Sequence, residues 1–266
     1  MKIIAKLNGL KIKMFPVILC LLAFCPNLKA QSVFTYDLKK DIIIGGLSLG
    51  VFVSPFFVEN KPEQIPNSLD KNDINGFDRF LMFSYDKTLD MISDYGVYSM
   101  LVLPIVSVIG NANDINTWLT YGIMYTEAFL LTFGTKDLLK NVIIRYRPYM
   151  YEGGIPDGRG NDYYNSFPSG STSLAFLSAT FFSTTFLSEY PVSKWKLPVT
   201  IGSYSLAAAV SAMRITSGAH FITDVLAGAA IGSFYGWIIP FLHRRNSGNN
   251  VKINVTPNSL LVSLKL

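Results

Sequence analysis

The chain has 266 residues, a formal net charge of +5, half apolar residues and only 15% charged ones. Soluble globular domains carry about 25% charged residues, so the deficit argues against an ordinary water-soluble domain and for a chain that uses lipid as part of its solvent. The positive excess fits loops lying against anionic lipid; no zinc-finger spacing, RNP-like segment or basic helix interleaved with aromatics points to a nucleic-acid partner.

In chain order, Lys2, Lys6, Lys11 and Lys13 precede an apolar stretch over residues 14–26, and Ala30 follows a short polar step. This is the order of a secretory signal peptide, predicted over residues 1–30 with the cut after Ala30. The stretch falls short of the about 20 residues that a span needs, which disfavours an uncleaved anchor. Bulky Phe24 disfavours lipid attachment at Cys25. Cys20 and Cys25 are the only cysteines, so loss of this segment would leave no disulfide and no thiolate metal site.

Residues 31–117 form the next unit. An apolar, Gly-rich run over 41–58 is a marginal span. A polar interlude over 59–94 carries several acids and is amphipathic around 77–92. A second apolar run covers 97–109, and a tight turn over 111–116 follows. Residues 118–243 hold a long apolar helix over 118–139, a polar loop over 141–167 and apolar runs over 172–187, 199–213 and 221–242. Small residues in the last runs (Ala207, Ala208, Gly228, Gly232, Gly236) allow close helix packing in lipid. The tyrosines at 146, 149, 151, 163 and 164 are expected to form an interfacial aromatic belt. Residues 244–266 are a polar tail, either a short hairpin or a disordered end. The predicted fold is all-α, a membrane helical bundle of about five or six helices.

Lys194, Lys196, Arg244 and Arg245 place two turns on the cytoplasmic side by the positive-inside tendency, so the loops at 141–167 and 213–220 fall on the exported side. A cleaved signal agrees with this only if run 41–58 does not cross; Lys39 and Lys40 favour an inside start and a crossing.

Three blocks face that exported side: Lys140 with Arg147 and Pro148, Ser166 to Ser171 (SFPSGS), and Arg214 with His220 and Asp224. A phosphoryl group in transfer spreads negative charge over its oxygens, and fixed cations stabilise it. Lys140, Arg147 and Arg214 are three such cations, and a helical segment would set the first two on one face. Ser169 and Gly170 open the helix near Thr172, where free N–H groups attract anions. His220 and Asp224 are four apart, neighbours on a helix, and a carboxylate there would orient and stabilise a nucleophilic imidazole. Asp162 reads as a solvated loop acid or a stand-in proton donor.

In order and internal spacing these blocks resemble the type 2 phosphatidic acid phosphatase superfamily, with its Lys-x6-Arg-Pro, Pro-Ser-Gly-His and Ser-Arg-x5-His-x3-Asp motifs. The resemblance covers residues 118–242 and implies the phosphatase/haloperoxidase-like helical core, a reaction needing neither metal nor cofactor, and a phosphohistidine intermediate. By position His220 would be the nucleophile, oriented by Asp224, with Lys140, Arg147, Ser169, Gly170 and Arg214 cradling the phosphate. Two positions depart. Met213 replaces the serine of the third block, and Ser171 replaces the histidine that would protonate the leaving oxygen. His243 is expected at the opposite membrane face, too far away to replace it.

The implied activity is a phosphoric monoester or diphosphate hydrolase acting on a lipid phosphate (undecaprenyl diphosphate, lipid A or phospholipid type) in a bacterial envelope, in the inner membrane, with its site exported. The alternative is a weakened or inactive member that binds phosphorylated lipid or has a structural membrane role. A transporter ranks last, because no charge is read as clearly mid-span.

Overall fold

The computed structural model describes residues 32–58, 61–62, 64–66, 69–109, 115–157 and 162–245, with the backbone of 251–256 and 259–264. The predicted signal peptide, both cysteines and most of the turn at 111–116 lie outside the described residues. The protein is a membrane helical bundle. Its helices are α1 (Leu38–Val53), α2 (Gly76–Phe80), α3 (Lys87–Met100), α4 (Leu103–Ile109), α5 (Ile115–Val142), α6 (Gly170–Glu189), α7 (Lys196–Thr216) and α8 (Ile222–Leu242). Strands β1 (Val251–Thr256) and β2 (Ser259–Leu264) pair antiparallel in a C-terminal hairpin.

Local chemistry sets the helix starts. Asp37, Asp86 and Ser169 each turn a side-chain oxygen onto first-turn N–H groups of α1, α3 and α6, satisfying donors that have no partner within the helix. Helix α6 carries apolar and small residues all round, and such a helix belongs in the interior. Ala175, Leu177, Ala179 and Phe181 have no exposed surface, and α6 packs against α3, α4, α5, α7 and α8. Helix α1 lies on α5, and α3 lies on α7. Three stretches are long and apolar enough to cross a membrane: Leu38–Phe57, Lys87–Val108 and Ile222–Leu242. Ile42 and Leu47 on the first, and Leu226, Phe234 and Trp237 on the last, are exposed, as lipid-facing side chains are.

Two expectations change. Glu127 lies midway along α5 and is buried, and Asp41 is buried in the first turn of α1. Ionisable side chains therefore do sit within the apolar runs, buried in the packed interior of the bundle. Three of the five loop tyrosines do not face outward as a belt would. Tyr149, Tyr163 and Tyr164 are buried with Met150 in a cluster of their own, since the loop between α5 and α6 is long enough to have a small core.

The tightest packing is between α6 and α8. Gly228, Gly232 and Gly236 recur every fourth residue, so one stripe of α8 presents only hydrogens. A Cβ at these positions would lie 2.5 Å from the Ser169 carbonyl oxygen, 2.0 Å from that of Ser173 and 2.8 Å from that of Leu177. Gly232→Ala is therefore expected to destabilise the protein by about 1–3 kcal/mol, the usual range for overpacking. Gly202→Ala, where nothing lies within 4 Å, should be near neutral; thermal unfolding in detergent compares the two.

Candidate active site

Lys140 stands on the last turn of α5, and its ammonium donates to the Asn165 carbonyl at 3.2 Å. The helix stops at Val142, so Lys140 and Arg147 do not share a helical face. Pro148 disfavours helical backbone at the residue before it, and Arg147 is extended (φ −75°, ψ 156°). The chain instead zips onto the far side of the same loop: Arg145 N–H donates to Tyr164 O (2.9 Å), Ser166 N–H to Arg145 O (3.0 Å) and Arg147 N–H to Tyr163 O (2.8 Å). This ladder holds Arg147 in place, buried.

The Arg147 guanidinium makes four contacts. It donates to Asp162 O (2.9 Å), Asp162 Oδ2 (2.8 Å) and Ala219 O (3.0 Å), and through Nη1 to His220 Nε2 (3.1 Å). Asp162 is thus the acid partner of Arg147. Arg214, in the last turn of α7, donates to Asp90 Oδ1 (2.6 Å), Ser93 Oγ (3.0 Å) and Asp94 Oδ1 (3.1 Å) of α3. Gly218 then turns the chain with φ +66°. A Cβ there would strike the Phe83 carbonyl oxygen at 2.4 Å, so the turn that delivers His220 calls for glycine.

His220 is buried. Its Nδ1–H donates to the Ser166 carbonyl at 2.8 Å. That bond fixes the tautomer and leaves the Nε2 lone pair facing Arg147. The Asp224 carboxylate lies 3.7 Å from Nδ1, beyond hydrogen-bond reach, so the expected direct pair is absent. Asp224 acts through intermediaries because closer donors claim it. It accepts from Ser166 Oγ (2.5 Å) and Phe221 N–H (2.9 Å) and ion-pairs with Arg145. Arg145 also pairs with Asp78 at 2.5 Å, and Asp78 accepts from Thr223 N–H (3.0 Å) at the start of α8. Burial, then the charges of Arg147, Arg214 and Lys140, hold the His220 imidazole well below its usual value. It is therefore neutral at pH 7, with the unprotonated Nε2 turned to the Arg147 guanidinium.

Lys140, Arg147, Gly170, Ser171, Arg214 and His220 line one cavity of about 300 Å³. Ser169 and Asp224 stand behind its wall. Ser169 Oγ caps α6 through Thr172 N–H (3.5 Å), and its own N–H donates to the Asp224 carbonyl at 2.9 Å. Met213 packs against the apolar cluster of Val97, Met100 and Val210 between α3 and α7.

Several residues at the site were missed in the sequence. Lys136 is one helical turn before Lys140 and lines the same cavity, with its ammonium on Asp137 (2.5 Å) and 3.6 Å from the Phe133 ring centroid. Its signal was the four-residue spacing. Asp90 and Asp94 carry the same spacing on α3. Asp78 and Arg145 gave no signal, since their meaning depends on contacts across the bundle. The arrangement gathers four basic side chains, a helix N-terminus and an imidazole nitrogen, groups that can hold an anion beside a nucleophile. Removing one cation from such a site should weaken anion binding. Lys136→Met is expected to raise the Kd for phosphate or vanadate about tenfold or more, the range for hydrogen bonds to charged groups. Exposed Lys71→Met should leave it unchanged; calorimetric titration reads both.

Residues 119–247 match the family model described as the PAP2 superfamily. Over 113 residues the chain is 34% identical to the lipid A 1-phosphatase of Porphyromonas gingivalis, a match covering 41% of this chain and 23% of that protein. The chain thus spans about a quarter of the length of this curated relative. The crystal structure of a transmembrane PAP2-type phosphatidylglycerolphosphate phosphatase from Bacillus subtilis aligns with a TM-score of 0.45 and 22% identity, over 76% of this chain and 95% of that one. Residues 119–247, the stretch that matches the PAP2 superfamily model, hold the Lys140, Arg147, Arg214 and His220 cavity.

Proposed function

We propose that the protein is a phosphatase that removes phosphate from a lipid phosphate or diphosphate through a phosphohistidine intermediate. One observation carries this reading: the buried, neutral His220 turns Nε2 toward Arg147 in a cavity lined by Lys136, Lys140 and Arg214. The cations hold the phosphoryl oxygens and absorb the charge that builds up there. Nε2 attacks phosphorus, a P–N bond forms, and the P–O bond to the leaving group breaks as its oxygen takes a proton from water. Water then hydrolyses the phosphohistidine and frees phosphate and His220. Arg145, Ser166 and Asp224 position the imidazole and do not touch the phosphate. A bundle with lipid-facing helices favours a substrate of the undecaprenyl diphosphate, lipid A or phospholipid kind, which stays in the membrane while its headgroup enters the cavity. We place the protein in a bacterial inner membrane with the cavity exported, because Lys194, Lys196, Arg244 and Arg245 lie at the other end of α6, α7 and α8.

Ser171 lines the cavity on the first turn of α6 and is a weak acid. A missing general acid costs about 10²- to 10⁴-fold in rate, and least where the leaving group needs little protonation. The same serine favours the alternative reading, a binding protein that has given up turnover.

Purified protein is expected to release phosphate from diphosphates and aryl phosphates faster than from alkyl monophosphates. His220→Ala should abolish release, and Ser171→His should raise alkyl phosphate turnover, at most by the factor above. If wild type releases phosphate from no substrate, the binding reading stands. Neutral His220 is the reactive form and its pKa is depressed, so the acid limb of kcat/KM should lie below pH 6.5 and move upward in Arg147→Met. Spheroplasts should hydrolyse an added impermeant aryl phosphate if the cavity is exported, and should not if it faces inward.

A further inference from the structure

At the opposite end of the bundle, three buried side chains from three helices converge. Asp41 comes from the first turn of α1, Glu127 from the middle of α5, and His243 caps the end of α8. None is more than 9% exposed. His243 Nε2 lies 3.0 Å from Asp41 Oδ1 and 3.4 Å from Glu127 Oε2. One ligand atom from each residue falls within 4.8 Å of the other two.

The polar atoms aimed into this space are unsatisfied. Asp41 Oδ1, both carboxylate oxygens of Glu127 and His243 Nε2 make no hydrogen bond among the described residues. The other atoms of the group are already committed. Asp41 Oδ2 accepts from Asp37 N–H at 2.9 Å, and His243 Nδ1–H donates to Ile239 O at 2.9 Å. The second bond points the Nε2 lone pair at the two carboxylates, the usual arrangement behind a metal-binding histidine. The Lys40 ammonium donates to Leu242 O at 2.8 Å, and not to either carboxylate. Gly45, one turn after Asp41, presents no side chain to Glu127: a Cβ there would lie 3.8 Å from Oε1. Buried charges are paired or coordinate metals, and a lone pair facing two carboxylates repels them unless a cation lies between.

We propose that Asp41, Glu127 and His243 bind one divalent transition-metal cation, of which Zn²⁺ is the type. Zinc takes imidazole nitrogen and carboxylate oxygen at about 2.0–2.2 Å in a tetrahedral shell, which sets neighbouring ligand atoms about 3.4 Å apart, close to the distances found. An imidazole among the ligands disfavours Ca²⁺ and Mg²⁺, which take oxygen, and the lack of sulfur disfavours Cu(I). The ion clamps α1 to α5 and α8, where Thr35 N–H already donates to the His243 carbonyl at 3.0 Å. Helix α8 is about 30 Å long at 1.5 Å per residue, and its whole length separates this site from His220. The site therefore stands apart from the phosphate chemistry and does not depend on the function proposed above.

The test uses the full chain in detergent, stripped with EDTA and then titrated with Zn²⁺. Elemental analysis after desalting should find about one Zn²⁺ per chain, and the unfolding temperature should rise with Zn²⁺ and fall back with EDTA. Glu127→Gln, Asp41→Asn and His243→Gln should each weaken binding by more than the 10- to 100-fold typical of outer-shell partners, while exposed Asp73→Asn should leave it intact. Folded wild type that retains no stoichiometric cation overturns the proposal, whatever the variants do. So does retention that is unchanged in Glu127→Gln and His243→Gln. Melting that depends on pH but not on metal would identify a shared proton as the occupant, and would equally overturn it.

Discussion

The site depends on how closely α6 and α8 approach. Gly228, Gly232 and Gly236 give α8 a face without side chains, and the α6 backbone lies directly on it. Only at that distance does Ser169 N–H reach the Asp224 carbonyl. The N-terminus of α6, with Gly170 and Ser171, is thereby held beside the turn that carries His220. In lipid the hydrophobic effect does not press helices together, and close packing and hydrogen bonds do that work.

The second constraint is charge. Lys136, Lys140, Arg147 and Arg214 repel one another across one cavity, and each is held by a neighbour. Asp137 holds Lys136, Asp162 holds Arg147, Asp90 and Asp94 hold Arg214, and the Asn165 carbonyl holds Lys140. These partners fix the cations before any anion arrives, so little reorganisation is left for the moment of binding. The same logic runs behind His220, where Arg145 lies between Asp78 and Asp224 and locks the start of α8. The cluster at the other end of the bundle has the reverse balance, two carboxylates and an imidazole with no cation bonded among them.

Much of this was legible in the chain. The apolar runs over 118–139, 172–187, 199–213 and 221–242 correspond to α5 through α8, because a run of about 20 apolar residues fixes a helix in lipid with little help from elsewhere. The blocks at Lys140, Ser166 and Arg214 identified six residues that line the cavity, because residues at helix ends and in the loops beside them meet at short spacings.

Tertiary structure decided the rest. No local pattern pairs Arg214 with Asp90 across 124 positions or Arg145 with Asp78 across 67. Nor does any local pattern bring Asp41 and Glu127 to His243. The four-residue spacing of His220 and Asp224 predicted a direct pair, but the loop placed the Ser166 carbonyl nearer to the ring. The sequence alone determined the helices, their order and which basic residues and histidine stand near one another, since these rest on composition and short-range spacing. The tertiary structure decided which acid restrains which cation, since that depends on contacts between helices far apart in the chain.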